Sequence, residues 1–313
     1  VSDTGTSDTG SSGTELAELT AALARVPLLA GADPSAAVRL AGLTNVNYRL
    51  GDWVVRIPGR GTSEFIDRTT EEVAARSAAD AGVNVEVVFF DATDGLMVTR
   101  FAEGTATMHV EGFRDLGSVH RAGEVLHRLH TTAAPFANEF RLWDMIDEYK
   151  HLVTVKDAPL PEGYDEVLHR AGEARAALQA NPSQLAPCHC DPLCENFLDT
   201  GTRMWLIDYE YAGNNDPMWD LGDLSVEGCF DQHQDDALLA GYFAGRPPAD
   251  ERARMVVYKA MCDLLWTLWG VIQHANGNPA DDFWAYAVGR FERCRRLMST
   301  ETYAEAMMVL RGR

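Results

Sequence analysis

Between Pro187 and Tyr211 the chain reads PCHCDPLCENFLDTGTRMWLIDYEY, and the fold is decided there. His189, Asp191, Asn196 and Asp208 follow one another at intervals of two, five and twelve residues. Asp-x-x-x-x-Asn is the catalytic-loop spacing of kinase-type phosphoryl transfer, in which the Asp meets the acceptor hydroxyl and the Asn takes a metal. After Asn196 the pattern is a hairpin: Phe197-Leu198 ends one short strand, Asp199-Thr200-Gly201-Thr202 turns, and Met204-Trp205-Leu206-Ile207 returns. A hairpin of that length brings Asp208 back beside Asn196, so two oxygen ligands converge on one hard cation such as Mg²⁺. Cys188, His189, Cys190 and Cys194 also invite a zinc reading. Structural zinc sites bring two well-separated ligand pairs, and no second pair stands here.

Around this stretch, 313 residues suffice for two core-bearing lobes. Apolar residues make up 46% and charged ones 24%, an ordinary globular balance. No uninterrupted run approaches the roughly 18–20 apolar residues of a membrane span, and no signal-peptide pattern opens the chain. A formal net charge of −20 argues against nucleic acid or an anionic membrane as partner. It suits a cationic substrate, and equally a general need for solubility. Three of the six cysteines (188, 190, 194, 229, 262 and 294) sit in the proposed catalytic loop, where a disulfide would distort the geometry. Free thiols in a reducing cytoplasm are expected.

The chain opens on a Ser/Thr/Gly/Asp-rich stretch, 1–13, expected to be a disordered tail. Thr14 to Arg25 has helical periodicity, with Leu16, Leu19, Ala22 and Leu23 on one face. Ala37–Leu40, Gly42–Leu50 and Trp53–Ile57 form an antiparallel meander. Its Gly42–Asn45 loop can offer backbone N–H groups, the Thr44 hydroxyl and the Asn45 amide to phosphate oxygens, although G-x-T-N is also simply a hairpin turn. Arg56 is a lone cation in an apolar strand and wants an anionic partner. A helix from Arg68 to Ala81 offers Glu71 and Glu72 near its start, either of which can supply that partner or serve as a surface acid. Strands at Val85–Phe90 and Gly95–Phe101 lead to Ala102-Glu103-Gly104, which reads as a lobe connector. Beyond it the pattern is helical: Gly112–Thr131, Leu142–Val153, Tyr164–Ala180, Pro217–Glu227, Asp231–Ala244, Ala249–Ala275, Asp281–Ser299 and Tyr303–Leu310. His127 and His130, three apart on an apolar helix, read as packing or satisfied polar residues rather than metal ligands.

These motifs together resemble the choline/ethanolamine kinase family, a branch of the aminoglycoside-phosphotransferase-like kinases, from about Leu40 to Arg296. They are Gly42-Leu43-Thr44-Asn45 with Tyr48, Arg56-Ile57-Pro58-Gly59, Phe65-Ile66-Asp67-Arg68 with Glu71, and Thr99-Arg100-Phe101. The series continues with His189-x-Asp191-x₄-Asn196-Phe197, Ile207-Asp208-Tyr209-Glu210-Tyr211, and Trp266-x-x-Trp269. The resemblance implies an α+β, two-lobed, protein-kinase-like fold using ATP and Mg²⁺. The small N-lobe, 14–103, carries an antiparallel sheet plus helix and binds the nucleotide. The larger, mainly helical C-lobe, 104–313, carries catalysis and the acceptor. Asp191 takes the base or hydroxyl-orienting role, and Asn196 and Asp208 hold Mg²⁺. Arg56 contacts phosphates and pairs with Glu71, while Leu43, Thr44 and Asn45 cover the nucleotide and Thr99 and Phe101 border it. Cys190 stands where the family often has Asn, and Ala41 where a second Gly is common.

For the acceptor, Trp266 and Trp269 lie three apart on one helix face, by default a core pattern. Tyr211 follows Asp208 by three residues, and Phe283, Trp284 and Tyr286 stand on the next helix. The family builds its choline pocket from aromatics at such positions. Ring faces attract a quaternary ammonium by about 2 kcal/mol or more when desolvated, whereas a primary ammonium prefers carboxylates. Choline is favoured as the small cationic alcohol. Ethanolamine, an aminoglycoside, or a sugar- or thiamine-like alcohol remains the alternative, although Asp281-Asp282 and Glu292 are too scattered for an aminoglycoside site. A nucleotide-binding pseudokinase and a zinc-binding interaction module are the rivals from other classes. The complete Asp191/Asn196/Asp208 set argues against the first.

Overall fold

The structure, a computed structural model, describes residues 13–40, 45–59 and 66–312. All of the expected tail except Gly13, and Leu43 and Thr44 of the expected nucleotide loop, lie outside the described residues.

The N-terminal part holds α1 (Gly13–Arg25), β1 (Val38–Leu40), β2 (Val46–Leu50), β3 (Trp53–Ile57), α2 (Arg68–Asp80), β4 (Val87–Asp91) and β5 (Leu96–Arg100). Its five strands form one antiparallel sheet in the order β1-β2-β3-β5-β4. Side chains directly opposite one another share a face. Tyr48 with Val55 and Val55 with Val98 thus lie on one face, and with Leu19, Leu23 and Leu96 they make a small core under α1. Asn47, Arg56, Met97 and Phe90 are paired across the sheet on the other face, which looks towards α2 and the rest of the chain. α2 starts where the Asp67 carboxylate accepts from the N–H groups of Thr69 and Thr70. It buries Ala74, Ala75 and Ala78 in the main core, so small residues let it lie close.

The larger part holds β6 (Ala106–Thr107), α3 (Leu116–Thr132), α4 (Leu142–Val155), α5 (Tyr164–Ala180), β7 (Ala186–Cys188), β8 (Phe197–Asp199), β9 (Met204–Leu206) and β10 (Gly213–Asn215). Then come α6 (Met218–Glu227), α7 (Gln232–Phe243), α8 (Ala249–Ala275), α9 (Phe283–Met298) and α10 (Glu301–Leu310). This is the protein-kinase-like, two-part architecture expected. α3 starts later than the periodicity suggests, because Asp115 is extended and caps it through Gly117 and Ser118. α8, against which α4, α6, α9 and α10 pack, contains an 18-residue window of mean hydropathy 1.4, long and apolar enough to cross a membrane. Lys259 and Asp263 interrupt its apolar run, which is why the sequence does not flag it, and 83% of the window is buried inside the fold as a core helix.

Candidate active site

On the sheet side of the site, Arg56 finds the partner its position demands. Its Nη1 lies 2.5 Å from Glu71 Oε1 and 3.4 Å from Asp208 Oδ1, and its Nη2 donates to the Gly95 carbonyl at 3.2 Å. Of the two candidate glutamates it is Glu71 that turns inward, while Glu72 holds Arg76 at 2.9 Å nearer the surface. A second buried cation joins: Arg68 Nη1 lies 2.6 Å from Glu71 Oε2 and 3.6 Å from Glu210 Oε2. Gly95 makes room for Arg68. Its φ is +89°, and a Cβ there would stand 2.5 Å from Arg68 Nε. Asn45 Nδ2 donates to Glu210 Oε2 at 3.3 Å and Asn45 Oδ1 accepts from Gly59 N–H at 3.4 Å, so the end of the expected nucleotide loop is tied to the IDYEY segment. Thr99 is buried, opposite Val54 across the sheet and two residues along from Met97 on the Arg56 face. Phe101 stacks under the Arg49 guanidinium, 3.7 Å from its ring centroid.

On the other side, β7 pairs with β10 and the β8–β9 hairpin lies beside β6, with the expected catalytic loop running between β7 and β8. The Ile207 N–H donates to the Asn196 carbonyl at 2.9 Å, which closes the hairpin and sets Asp208 next to Asn196. The Asn196 Nδ2 is spent on the Asp191 carbonyl at 3.1 Å, leaving its Oδ1 as a potential ligand. His189 is fully buried, its Nε2 2.9 Å from the Ile207 carbonyl. Cys190 and Asp208 adopt φ of +67° and +70°, a left-handed conformation that costs a non-glycine residue about 1–3 kcal/mol. Asp220, wholly buried on α6, holds the first of these in place: its carboxylate accepts from the N–H groups of His189 and Cys190 at 2.7 and 2.8 Å, and lies 3.0 Å from His130 Nε2. His130 is accordingly a satisfied core polar residue, its Nδ1 2.9 Å from the Tyr242 hydroxyl. The loop thiols are buried, Cys188 facing the Asn215 carbonyl at 3.5 Å and Cys190 the Cys188 and Gly213 carbonyls at 3.7 Å. Burial pushes the Cys194 thiol up to about 12. Among the described residues Cys188 lies with His130 and Asp220 at metal-holding spacing, but no such group joins it to Cys190 and Cys194.

The carboxylates crowd. Burial, then Glu227, Asp208 and Glu210, push Asp191 well above the usual range. Burial raises Asp208 as well, opposed by Arg56 and Arg68 and reinforced by Glu71, and burial with Asp208 lifts Glu210 to about 7. An amide oxygen beside such carboxylates is a hard donor set, and the site's excess negative charge fits a divalent cation held by Asn196 and Asp208.

The acceptor candidates form one contiguous set. Tyr211 meets Trp266 edge-to-face at 5.9 Å, Trp266 meets Trp269 at 6.1 Å, and Trp269 meets Phe283 and Tyr286 at 5.4 and 5.8 Å. Trp284 turns away and packs on His274. Gly270 on α8 admits Tyr286, since a Cβ there would lie 2.8 Å from the Tyr286 Cδ1. Burial pushes the Tyr211 phenol up, and the charge of Asp191 adds to it. Tyr286 is raised by burial, opposed by Arg290 and reinforced by Glu227 and Asp191. The sequence reading assigned no role to Asp220, Glu227, Arg290, Arg68 or Glu210. Glu71 is offered by the sequence together with Glu72, and it is the family resemblance that pairs it with Arg56.

A family model described as the phosphotransferase enzyme family matches residues 35–256. The crystal structure of a choline/ethanolamine kinase family protein from Mesorhizobium loti is 52% identical, with a TM-score of 0.89 over 96% of this chain and 99% of that one. Choline kinase LicA from Streptococcus pneumoniae is 26% identical, with a TM-score of 0.70 over 83% of this chain and 92% of its own. A structure of LicA in complex with AMP is 25% identical, with a TM-score of 0.68 over 84% and 91%.

Proposed function

This chain belongs to the choline/ethanolamine kinase family of phosphotransferases, and from that premise we propose that it moves the γ-phosphoryl group of ATP, with Mg²⁺, to the hydroxyl of choline. The observation that carries the acceptor is the run of rings Tyr211, Trp266, Trp269 and Tyr286, which begins three residues after Asp208 and feels the charge of Asp191. A quaternary ammonium has no N–H to donate and is held by ring faces, whereas a primary ammonium needs oxygen acceptors.

Phosphoryl transfer asks mainly for alignment and charge neutralisation. Asn196 and Asp208 would hold Mg²⁺, which supplies positive charge along the phosphates. Arg56, fixed by Glu71, presents its guanidinium to the same phosphates. Leu43, Thr44 and Asn45 cover them, and Thr99 and Phe101 border the base. Asp191 takes the choline hydroxyl proton as the oxygen–phosphorus bond forms and the bond from phosphorus to the ADP oxygen breaks. The positive acceptor also favours the ionised form of Asp191, which burial and neighbouring carboxylates disfavour.

ATP consumption should be measured with choline, ethanolamine and kanamycin as acceptors. The highest kcat/KM is expected with choline. Turnover of kanamycin without turnover of choline would overturn the proposal, and a preference for ethanolamine would replace the acceptor while leaving the phosphoryl-transfer machinery intact.

A further inference from the structure

Beside the rings lies a charge arrangement that also bears on Asp191, which burial and then Glu227 push up and Arg290 pulls down. Arg290 stands four residues after Tyr286 on α9, with its guanidinium carbon 4.9 Å from the Tyr286 ring centroid. Its Nη2 lies 2.5 Å from Glu227 Oε1 at the end of α6, and its Nη1 lies 3.3 Å from Asp263 Oδ1 in the middle of α8. Asp263 in turn takes Arg293 Nη2 at 2.6 Å and Nε at 3.1 Å. The side chains of Arg290, Glu227 and Asp263 are 8%, 13% and 3% exposed, so little water screens these pairs. Two carboxylates meet two guanidiniums. Asp223, further in, is wholly buried and accepts the Cys262 thiol at 2.8 Å.

Glu227 is brought to the Tyr286 ring through Arg290, whose guanidinium lies against that ring and pairs with the carboxylate, while Asp191 is assigned to the acceptor hydroxyl. We propose that Arg290 is a specificity-determining residue: by holding Glu227 in an ion pair, it withdraws the carboxylate that a primary ammonium would need and leaves a site that rewards a quaternary one. This rests on the acceptor site proposed above. A primary ammonium would have to displace a buried guanidinium from Glu227, leaving that cation poorly compensated. A trimethylammonium group makes no such demand, because it gains from ring faces alone. Arg290 also backs the Tyr286 ring on which that contact depends.

The test is the ratio of kcat/KM for choline to kcat/KM for ethanolamine, with the KM for ATP as control. Arg290→Gln should lower the ratio by about tenfold or more, chiefly through a lower KM for ethanolamine, with the KM for ATP unchanged. Arg290→Lys keeps a cation against Glu227 and should stay within about threefold of the wild-type ratio. Adding Glu227→Gln to Arg290→Gln should return the ratio to within about threefold of wild type, because the freed carboxylate is gone. An unmoved ratio in Arg290→Gln, or a fallen one that the double variant does not restore, overturns the inference. Should Arg290→Gln fail to fold, Glu227→Gln alone decides. Ethanolamine kcat/KM must then hold within about threefold, and a selective tenfold fall would show that Glu227 already serves the primary ammonium. Wild-type preference for ethanolamine defeats the acceptor reading and this inference with it, whereas choline preference with an unmoved Arg290→Gln ratio defeats the inference alone.

Discussion

Glu71→Gln isolates the charge network on which the nucleotide side of the site is built. Gln keeps the shape of the side chain and removes one negative charge from between Arg56 and Arg68. All three side chains are at most 5% exposed, and the contacts at stake are 2.5 and 2.6 Å. Breaking a buried pair by removing one partner costs about 3–5 kcal/mol. Asp208 and Glu210 remain 3.4 and 3.6 Å from the two guanidiniums, so the lower end, about 3 kcal/mol, is expected. With an unfolding entropy of about 2.1 cal/mol/K per residue, the 313-residue chain has roughly 0.66 kcal/mol/K, and Tm falls by about 5 °C. Activity should suffer separately. Without Glu71, Arg56 is drawn onto Asp208, taking up a carboxylate assigned to the cation, and the KM for ATP should rise about tenfold or more. Thermal unfolding followed by circular dichroism, and initial rates at varied ATP, measure the two effects. Glu72→Gln is the control, since its pair with Arg76 is largely solvated and worth about 0–1 kcal/mol. A Tm change in Glu71→Gln no larger than in that control, with an unchanged KM for ATP, would refute the reasoning.

Two further outcomes are expected. Trp266→Ala removes a ring worth about 2 kcal/mol to a bound quaternary ammonium, so the KM for choline should rise about thirtyfold while that for ATP moves less than about twofold; an unchanged choline KM would return the tryptophan to the core. Arg25 joins α1 to the β4–β5 turn through Asp91 and Asp94 at 2.5 and 2.6 Å, and hydrogen bonds from Thr93 and then Arg25 hold Asp91 down at about 2. Because the folded value lies below the unfolded one of about 3.9, the stabilisation is present above about pH 4 and is lost as pH falls through about 2. In this partly exposed pair Arg25→Ala should cost at most about 1 kcal/mol at pH 7 and flatten the fall in Tm between pH 4 and 2, and an unaltered acid limb would show that the pair carries none of it.

The parts of the site visible in the sequence are those whose geometry is local. Asp191, Asn196 and Asp208 are set by one loop and one hairpin, and strand length with turn chemistry determines how such a unit closes. Arg56 stands out because a cation between Val55 and Ile57 is costly unless paired, and its partner lies on the next element, where the residues alone offer Glu71 or Glu72 and the fold turns Glu71 inward. Asp220 escapes notice for the opposite reason: its work is done on the backbone of His189 and Cys190, 31 and 30 residues upstream, and hydrogen bonds to main chain leave no residue-type signature. Leu43 and Thr44 fall outside the described residues, so the loop motif that includes them rests on Asn45 alone.

Arg290 obeys the rule that singled out Arg56. It lies on the apolar stripe of α9 with Phe283, Ala287, Phe291 and Cys294, and Asp263 interrupts the apolar run of α8 just before Leu264 and Leu265. A charge on a buried stripe announces that a partner exists without saying where, and here the partners lie 27 and 63 residues away across helix–helix contacts. Periodicity cannot supply that pairing, because it depends on which ridge of α9 settles against α6 and α8. Arg56 and Arg290, two of the buried arginines, then divide the chemistry between them. Arg56 is held by Glu71 beside Asp208, where the proposed function needs phosphate charge met, and Arg290 holds Glu227 in an ion pair next to Tyr286, where the proposed acceptor has no N–H groups. In both places a carboxylate–guanidinium pair fixes which charge the site has left to offer, so substitutions that free one partner should change what binds before they change how fast phosphate moves.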